Sequence, residues 1–153
     1  MKIGDTAFSF SLPAAPGEMV DVGALIGSGP IVLLFIPFAF SSVCTEELCR
    51  VGEEWPAWDL ADGHVFGLAA DSPFVTARWR AEENIPFPVL SDFGREVAAE
   101  YGVLDESLLG PPGVAKRSAF VIDRAGRIAY RWVTDDPSVQ PDYAAIHAAV
   151  EAL

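Results

Sequence analysis

"PIVLLFIPFAFSSVCTEELC", residues 30–49, decides how this chain folds. Ile31 to Ile36 form a continuous apolar run, the pattern of a central strand buried on both faces. From Cys44 the pattern turns helical, with Leu48, Val51 and Trp55 recurring at three and four residues as far as about Trp58. Pro56 is placed to kink or end that helix. Both cysteines of the chain, Cys44 and Cys49, fall in this handover from strand to helix.

Upstream, "FSFSL" (8–12) alternates with period two, "PAAPGE" behind it reads as a turn, and "MVDVGAL" returns as a hairpin partner. Downstream, "HVFGLAAD" is a second buried strand. "DSPFVTARWRAEENI" is a helix capped by Ser72 with Pro73 in its first position. "FPVLSD" is a third strand and "REVAAEYG" a short helix stopped by Gly102. "SAFVIDRAGRIAYRWVTD" is a hairpin turning at Arg124 to Gly126, and "PDYAAIHAAVEAL" closes the chain as a helix with Tyr143, Ile146, Val150 and Leu153 on one face. Strands separated by helices require crossover connections, and the late hairpin adds an antiparallel pair. The expected fold is α/β: a thioredoxin-like mixed sheet flanked by helices, with an N-terminal hairpin, as one domain over residues 1–153.

With 153 residues, 51% of them hydrophobic and 21% charged, a packed core is expected rather than disorder. Ten Lys and Arg against 22 Asp and Glu give a net charge of −12 and leave no basic stripe for nucleic acid. The same charge opposes an anionic membrane surface. The longest apolar stretch, Pro30 to Phe40, is far short of a membrane span. "MKIGDTAFSFSLP" has no long apolar segment of the secretory kind, so a cytoplasmic location is expected. In such a compartment disulfides are transient and catalytic more often than structural.

Cys44 falls at a helix start, where unpaired N–H groups carry a partial positive charge that favours thiolate. A thiol of ordinary pKa, about 8.5, is about 3% ionised at pH 7. A pKa of about 6 makes it roughly 90% ionised, a gain in nucleophile of about thirtyfold. Pro37 leaves the strand without needing an N–H partner, and Ser41 can present a hydroxyl beside the sulfur. Cys49 lies five positions along the helix from Cys44, which places their Cα atoms about 8.6 Å apart, beyond the roughly 7 Å limit for a disulfide. The spacing therefore fits either two unconnected thiols or a pair joined after the first turn unwinds.

"PFAFSSVC" resembles the peroxiredoxin active-site motif: Pro, three residues, Thr or Ser, two residues, Cys. "GDTAFSFSL", "FPVLSD", "YGV" and "RSAFVIDRAGRI" follow in that family's usual order, so the resemblance covers nearly the whole chain. The spacing of the two cysteines resembles the bacterioferritin-comigratory, or Q-type, branch. "FIPFAFSSVC" and "VLSDFG" are also similar to the alkyl hydroperoxide reductase E branch, many of whose members use one cysteine.

The resemblance implies a thiol peroxidase acting on hydrogen peroxide and small organic hydroperoxides without metal, haem, flavin or other cofactor. Cys44 matches the peroxidatic cysteine that becomes a sulfenic acid, and Cys49 would resolve it as an intramolecular disulfide. Ser41 matches the hydroxyl that contacts thiolate and peroxide, and Pro37 the proline that shields the sulfur. Arg117 matches the distant arginine that completes the site, and Glu47 an acid near that arginine. A thioredoxin-like or other dithiol would reduce the disulfide, in a monomer or homodimer.

The alternatives are a one-cysteine peroxidase resolved by an external thiol, a peroxide-sensing redox switch, and a scaffold with two inert thiols. Apart from the resemblance, Arg117 reads as a surface charge before an edge strand. Trp55, Trp58, Trp79 and Trp132 read as core or interface residues. His64 and His147 lie far from the cysteines in sequence, and no zinc-like ligand spacing or C-x-x-C occurs.

Overall fold

The computed structural model describes residues 1–54, 56 and 63–153. Trp55 and Trp58 lie outside the described residues. The elements are β1 (Ser11–Ala15), β2 (Glu18–Asp21), α1 (Val22–Leu25), β3 (Ile31–Phe35), α2 (Ser42–Glu54), β4 (His64–Ala69), α3 (Pro73–Glu82) and β5 (Val89–Ser91). They continue with α4 (Glu96–Glu100), β6 (Leu104–Asp105), β7 (Val114–Ala115), β8 (Ser118–Ile122), β9 (Ile128–Val133) and α5 (Tyr143–Glu151).

Five strands form the main sheet in the order β5-β4-β3-β8-β9. β3 runs parallel to β4 and antiparallel to β8, so the apolar run of residues 31–36 supplies the central strand. Its alternation divides the core. Val32, Leu34 and Ile36 pack with Leu48 and Val51 of α2, Trp79 of α3, and Ile146 and Val150 of α5. Ile31, Leu33 and Phe35 face the other way, toward Phe10, Val22, Val97, Tyr101 and Phe120. A strand with both faces covered has to be apolar at every position, and this one is. This is the thioredoxin-like mixed sheet expected from the sequence.

Several boundaries differ from the sequence reading. The first strand begins at Ser11, not Phe8, and includes Pro13 to Ala15. A register shift between Pro13 and Ala15 accommodates the proline in a two-stranded ribbon, and the turn shrinks to Pro16 and Gly17, the latter at φ +76°. α2 starts at Ser42, two residues before Cys44. Leu153 is exposed beyond the end of α5, whereas Tyr143, Ile146 and Val150 are buried. The antiparallel pair β6–β7 is new. Two-residue strands are too short to show a period. Ser72 caps α3 by accepting from the Val75 N–H, with Pro73 at its first turn, as read from the sequence.

Candidate active site

The loop between β3 and α2 is fixed at each step. Ile36 N–H still pairs with the Leu68 carbonyl of β4 at 2.9 Å, and the strand then ends at Pro37, which has no N–H to pair. Ala39 N–H donates to Asp71 Oδ2 at 2.9 Å. Phe40 takes φ +64°, uncommon for a bulky side chain, and its ring lies 6.3 Å from that of Trp79. Ser41 then caps α2. Its carbonyl accepts from Thr45 N–H at 2.9 Å, and its Oγ accepts from Cys44 N–H at 3.4 Å. Ser41 is thus beside Cys44, bonded to its amide. Trp79 is core, as expected, and its Nε1 donates to Thr45 Oγ1 at 3.2 Å, tying α3 to the first turn of α2.

Cys44 is fully buried, and Arg117 Nη2 donates to its Sγ at 3.3 Å. Arg117 Nη1 donates to Glu47 Oε2 at 2.5 Å, and Nε and Nη2 donate to the Pro137 carbonyl at 3.1 and 2.9 Å. Arg117 is therefore no surface charge: it is 2% exposed, and the β8 it precedes lies between β3 and β9 rather than at an edge. Burial would lower the Arg117 pKa, but the Glu47 carboxylate and the Cys44 sulfur raise it above its ordinary value, so the guanidinium is a permanent cation. That cation stabilises negative charge on the sulfur it touches.

Glu47 lies one turn beyond Cys44 on α2 and is fully buried. Desolvation pushes its pKa up to about 7 against the opposing pull of Arg117. Its folded value lies above the ordinary 4.5. This group's stabilising contribution is therefore fully present below about pH 4.5 and lost as pH rises through about 7. The urea midpoint of the parent is expected to fall more steeply between about pH 5 and about pH 7.5 than that of Glu47→Gln. Parallel profiles would show that Glu47 does not titrate in this window.

Cys49 is turned away from the group. It is partly exposed, and its Sγ donates a long bond of 3.9 Å to the Glu83 carbonyl at the end of α3. Burial, then the Glu83 and Glu53 carboxylates, push its pKa up. Both cysteines are free thiols within one continuous helix.

An open groove of about 370 Å³ reaches Arg117 and is lined by Pro37, Phe38, Ser41, Val43, Leu108, Leu109 and Pro137. Pro37 and Ser41 therefore share the groove with Arg117. The sequence reading missed Pro137, Leu108 and Leu109. The hairpin register pointed to Pro137, because pairing Ser118 with Val133 brings the chain after β9 back alongside Arg117. Nothing comparable marked Leu108 and Leu109, which reach the groove from the loop joining β6 to β7. His64 opens β4 against Phe66, and His147 sits on α5 near Glu151.

A fully buried sulfur bonded to a permanent cation suits nucleophilic redox chemistry. The chain belongs to the AhpC/TSA family, whose model matches residues 3–131. It is similar to alkyl hydroperoxide reductase E of Mycobacterium tuberculosis, with 30% identity over 132 residues, 85% of this chain and 84% of the relative. The crystal structure of peroxidoxin BcpB from the same organism matches 100% of this chain and 98% of its own, at 29% identity and a TM-score of 0.83. That of Enterococcus faecalis AhpC matches 98% and 90%, at 26% identity and a TM-score of 0.84. The protein is a peroxiredoxin-family thiol peroxidase, as the sequence resemblance implied.

Proposed function

We propose that the chain reduces hydrogen peroxide and small organic hydroperoxides through a sulfenic acid on Cys44. The observation that carries this is the bond from the buried Arg117 to the Cys44 sulfur. The thiolate attacks the distal peroxide oxygen, the O–O bond breaks, and the departing alkoxide or hydroxide takes up a proton to leave as alcohol or water. Sulfur loses two electrons and the peroxide gains them. The Arg117 guanidinium offers fixed positive charge to the separating oxygens. The Ser41 hydroxyl, held at the Cys44 amide, is the neutral donor for the same oxygens. Pro37 walls the entrance. Glu47 holds Arg117 in register.

Cys49 resolves the sulfenic acid in the first reading, and a thioredoxin-like or other dithiol then reduces the disulfide. Joining the two sulfurs requires opening the first turn of α2, which breaks the Ser41 cap, the Trp79–Thr45 bond and the Arg117–Cys44 contact. The raised pKa of Cys49 makes its thiolate scarce at neutral pH, so disulfide formation is expected to speed up as pH rises. The second reading, resolution by an external thiol, is favoured by the orientation of Cys49 toward Glu83.

The test is peroxide consumption with thioredoxin and its reductase for the parent, Cys44→Ser and Cys49→Ser, with mass spectrometry of the peroxide-treated proteins. A Cys44–Cys49 disulfide within one chain, faster amide exchange over residues 43–50 when oxidised, and trapped or over-oxidised Cys44 in Cys49→Ser are expected. Undiminished turnover of Cys49→Ser with no such disulfide assigns the external-thiol route. A single oxidation with no turnover on any reductant identifies a redox switch instead.

A further inference from the structure

Glu47 carries a buried oxygen, Oε1, that no described residue hydrogen-bonds, while its Oε2 is held by Arg117. An unpartnered buried oxygen costs more on an ionised carboxylate than on a neutral carboxyl. The charge count in the pocket makes the same point. Arg117 supplies one positive charge through two terminal nitrogens, one on Glu47 and one on Cys44. A carboxylate and a thiolate together leave this buried site with an uncompensated negative charge. A carboxyl with a thiolate, or a carboxylate with a thiol, leaves it neutral.

Among the described residues, the groups facing Glu47 supply no second cation to the pocket. On α2 these are Cys44 and, one turn further on, Arg50, which lies over the Tyr143 ring at 4.9 Å and is paired with Glu54 at 2.9 Å. From the start of β8 comes Arg117, and from α5 Tyr143, whose hydroxyl donates to Gln140 Oε1.

We infer that Cys44 and Glu47 share a single proton, which rests on the Glu47 carboxyl whenever the sulfur is a thiolate. Thiolate forms without exporting charge from the pocket. Burial pushes the Glu47 pKa up to about 7, and the negative charge of a neighbouring thiolate raises it further. The inference rests on Cys44 being the peroxide-reacting thiol, and it supplies the proton that reaction needs. Attack by sulfur breaks the O–O bond, the electron pair leaves on the alkoxide, and release of the Glu47 proton balances the formation of alcohol. Glu47 returns to the carboxylate paired with Arg117 as sulfur becomes a neutral sulfenic acid. The sum is thiol plus hydroperoxide giving sulfenic acid plus alcohol. Glu47 is in this sense a proton-holding and positioning residue.

The test reads the carboxylic-acid C=O band by infrared spectroscopy, together with the ultraviolet thiolate absorbance, in reduced protein at about pH 8. The parent is expected to show both the thiolate and a carboxyl band that Glu47→Gln lacks. In Cys44→Ser a carboxyl of pKa about 7 is roughly one-tenth protonated at that pH, so the band should fall about tenfold. Asp92, the other buried carboxyl with a raised pKa among the described residues, is common to all three proteins and cancels in the differences. Equal bands in the parent and Cys44→Ser overturn the inference, as does a parent lacking either the band or the thiolate. The Cys44→Ser comparison decides the matter even where Glu47→Gln fails to fold. Neither reading needs turnover, so a failure of the peroxidase assignment appears separately, as reduced protein that consumes no peroxide.

Discussion

Cys44→Ser is expected to lose peroxide turnover by at least about 10³-fold, the scale on which removing an activated nucleophile acts. A serine hydroxyl at this position gains the same Arg117 donor but ionises far less readily than a thiol. The substitution should leave the fold intact. Cys44 packs among Ala39, Leu48 and Val51, serine is a close match in volume, and Arg117 can donate to the new oxygen as it does to sulfur. Initial rates of peroxide loss under excess dithiol, with a folded-state check by circular dichroism, measure it. Retention of more than a few per cent of the parent rate in a folded variant would place the reacting thiol elsewhere.

Arg117→Ala is expected to combine two losses. Removing a charged donor aimed at reacting oxygens slows chemistry by about 10²–10³-fold. Removing one partner of a buried ion pair leaves Glu47 unpaired, which costs up to about 3–5 kcal/mol at a pH where Glu47 is ionised, against only about 5–15 for a whole domain. The two effects separate in the double variant Arg117→Ala with Glu47→Gln. The amide removes the stranded charge, so urea stability should recover much of the loss while peroxide reduction stays slow. Arg117→Lys should fall between, because one ammonium replaces a fork that spans Glu47, Cys44 and the Pro137 carbonyl. A single alanine variant whose rate stays within about threefold of the parent would remove Arg117 from the chemistry.

The sequence by itself determined the central strand, the helix behind it, the Ser72 cap and the β8–β9 hairpin, because each is written in contiguous residues as a period or a terminal signal. It also placed Pro37, Ser41 and Cys44 together, since a strand end, a cap and a helix start are neighbours along the chain. It misplaced β1 and passed over β6–β7, where a register shift and two-residue strands leave no period to read. The spacing of Cys44 and Cys49 ruled out a disulfide within regular helix, but not the direction in which Cys49 points.

Only the tertiary structure decided what surrounds the sulfur. Arg117 reaches Cys44 across 73 residues and Glu47 across 70, because β8 is inserted beside β3 in the sheet. Composition gives Arg117 no sign of being buried. Its burial is a sum over α2, β8 and the chain after β9, none of which is local to it. The raised pKa of Glu47 has the same origin. Desolvation and a shared cation come from elements distant in sequence, and they act through space at distances the chain order does not encode.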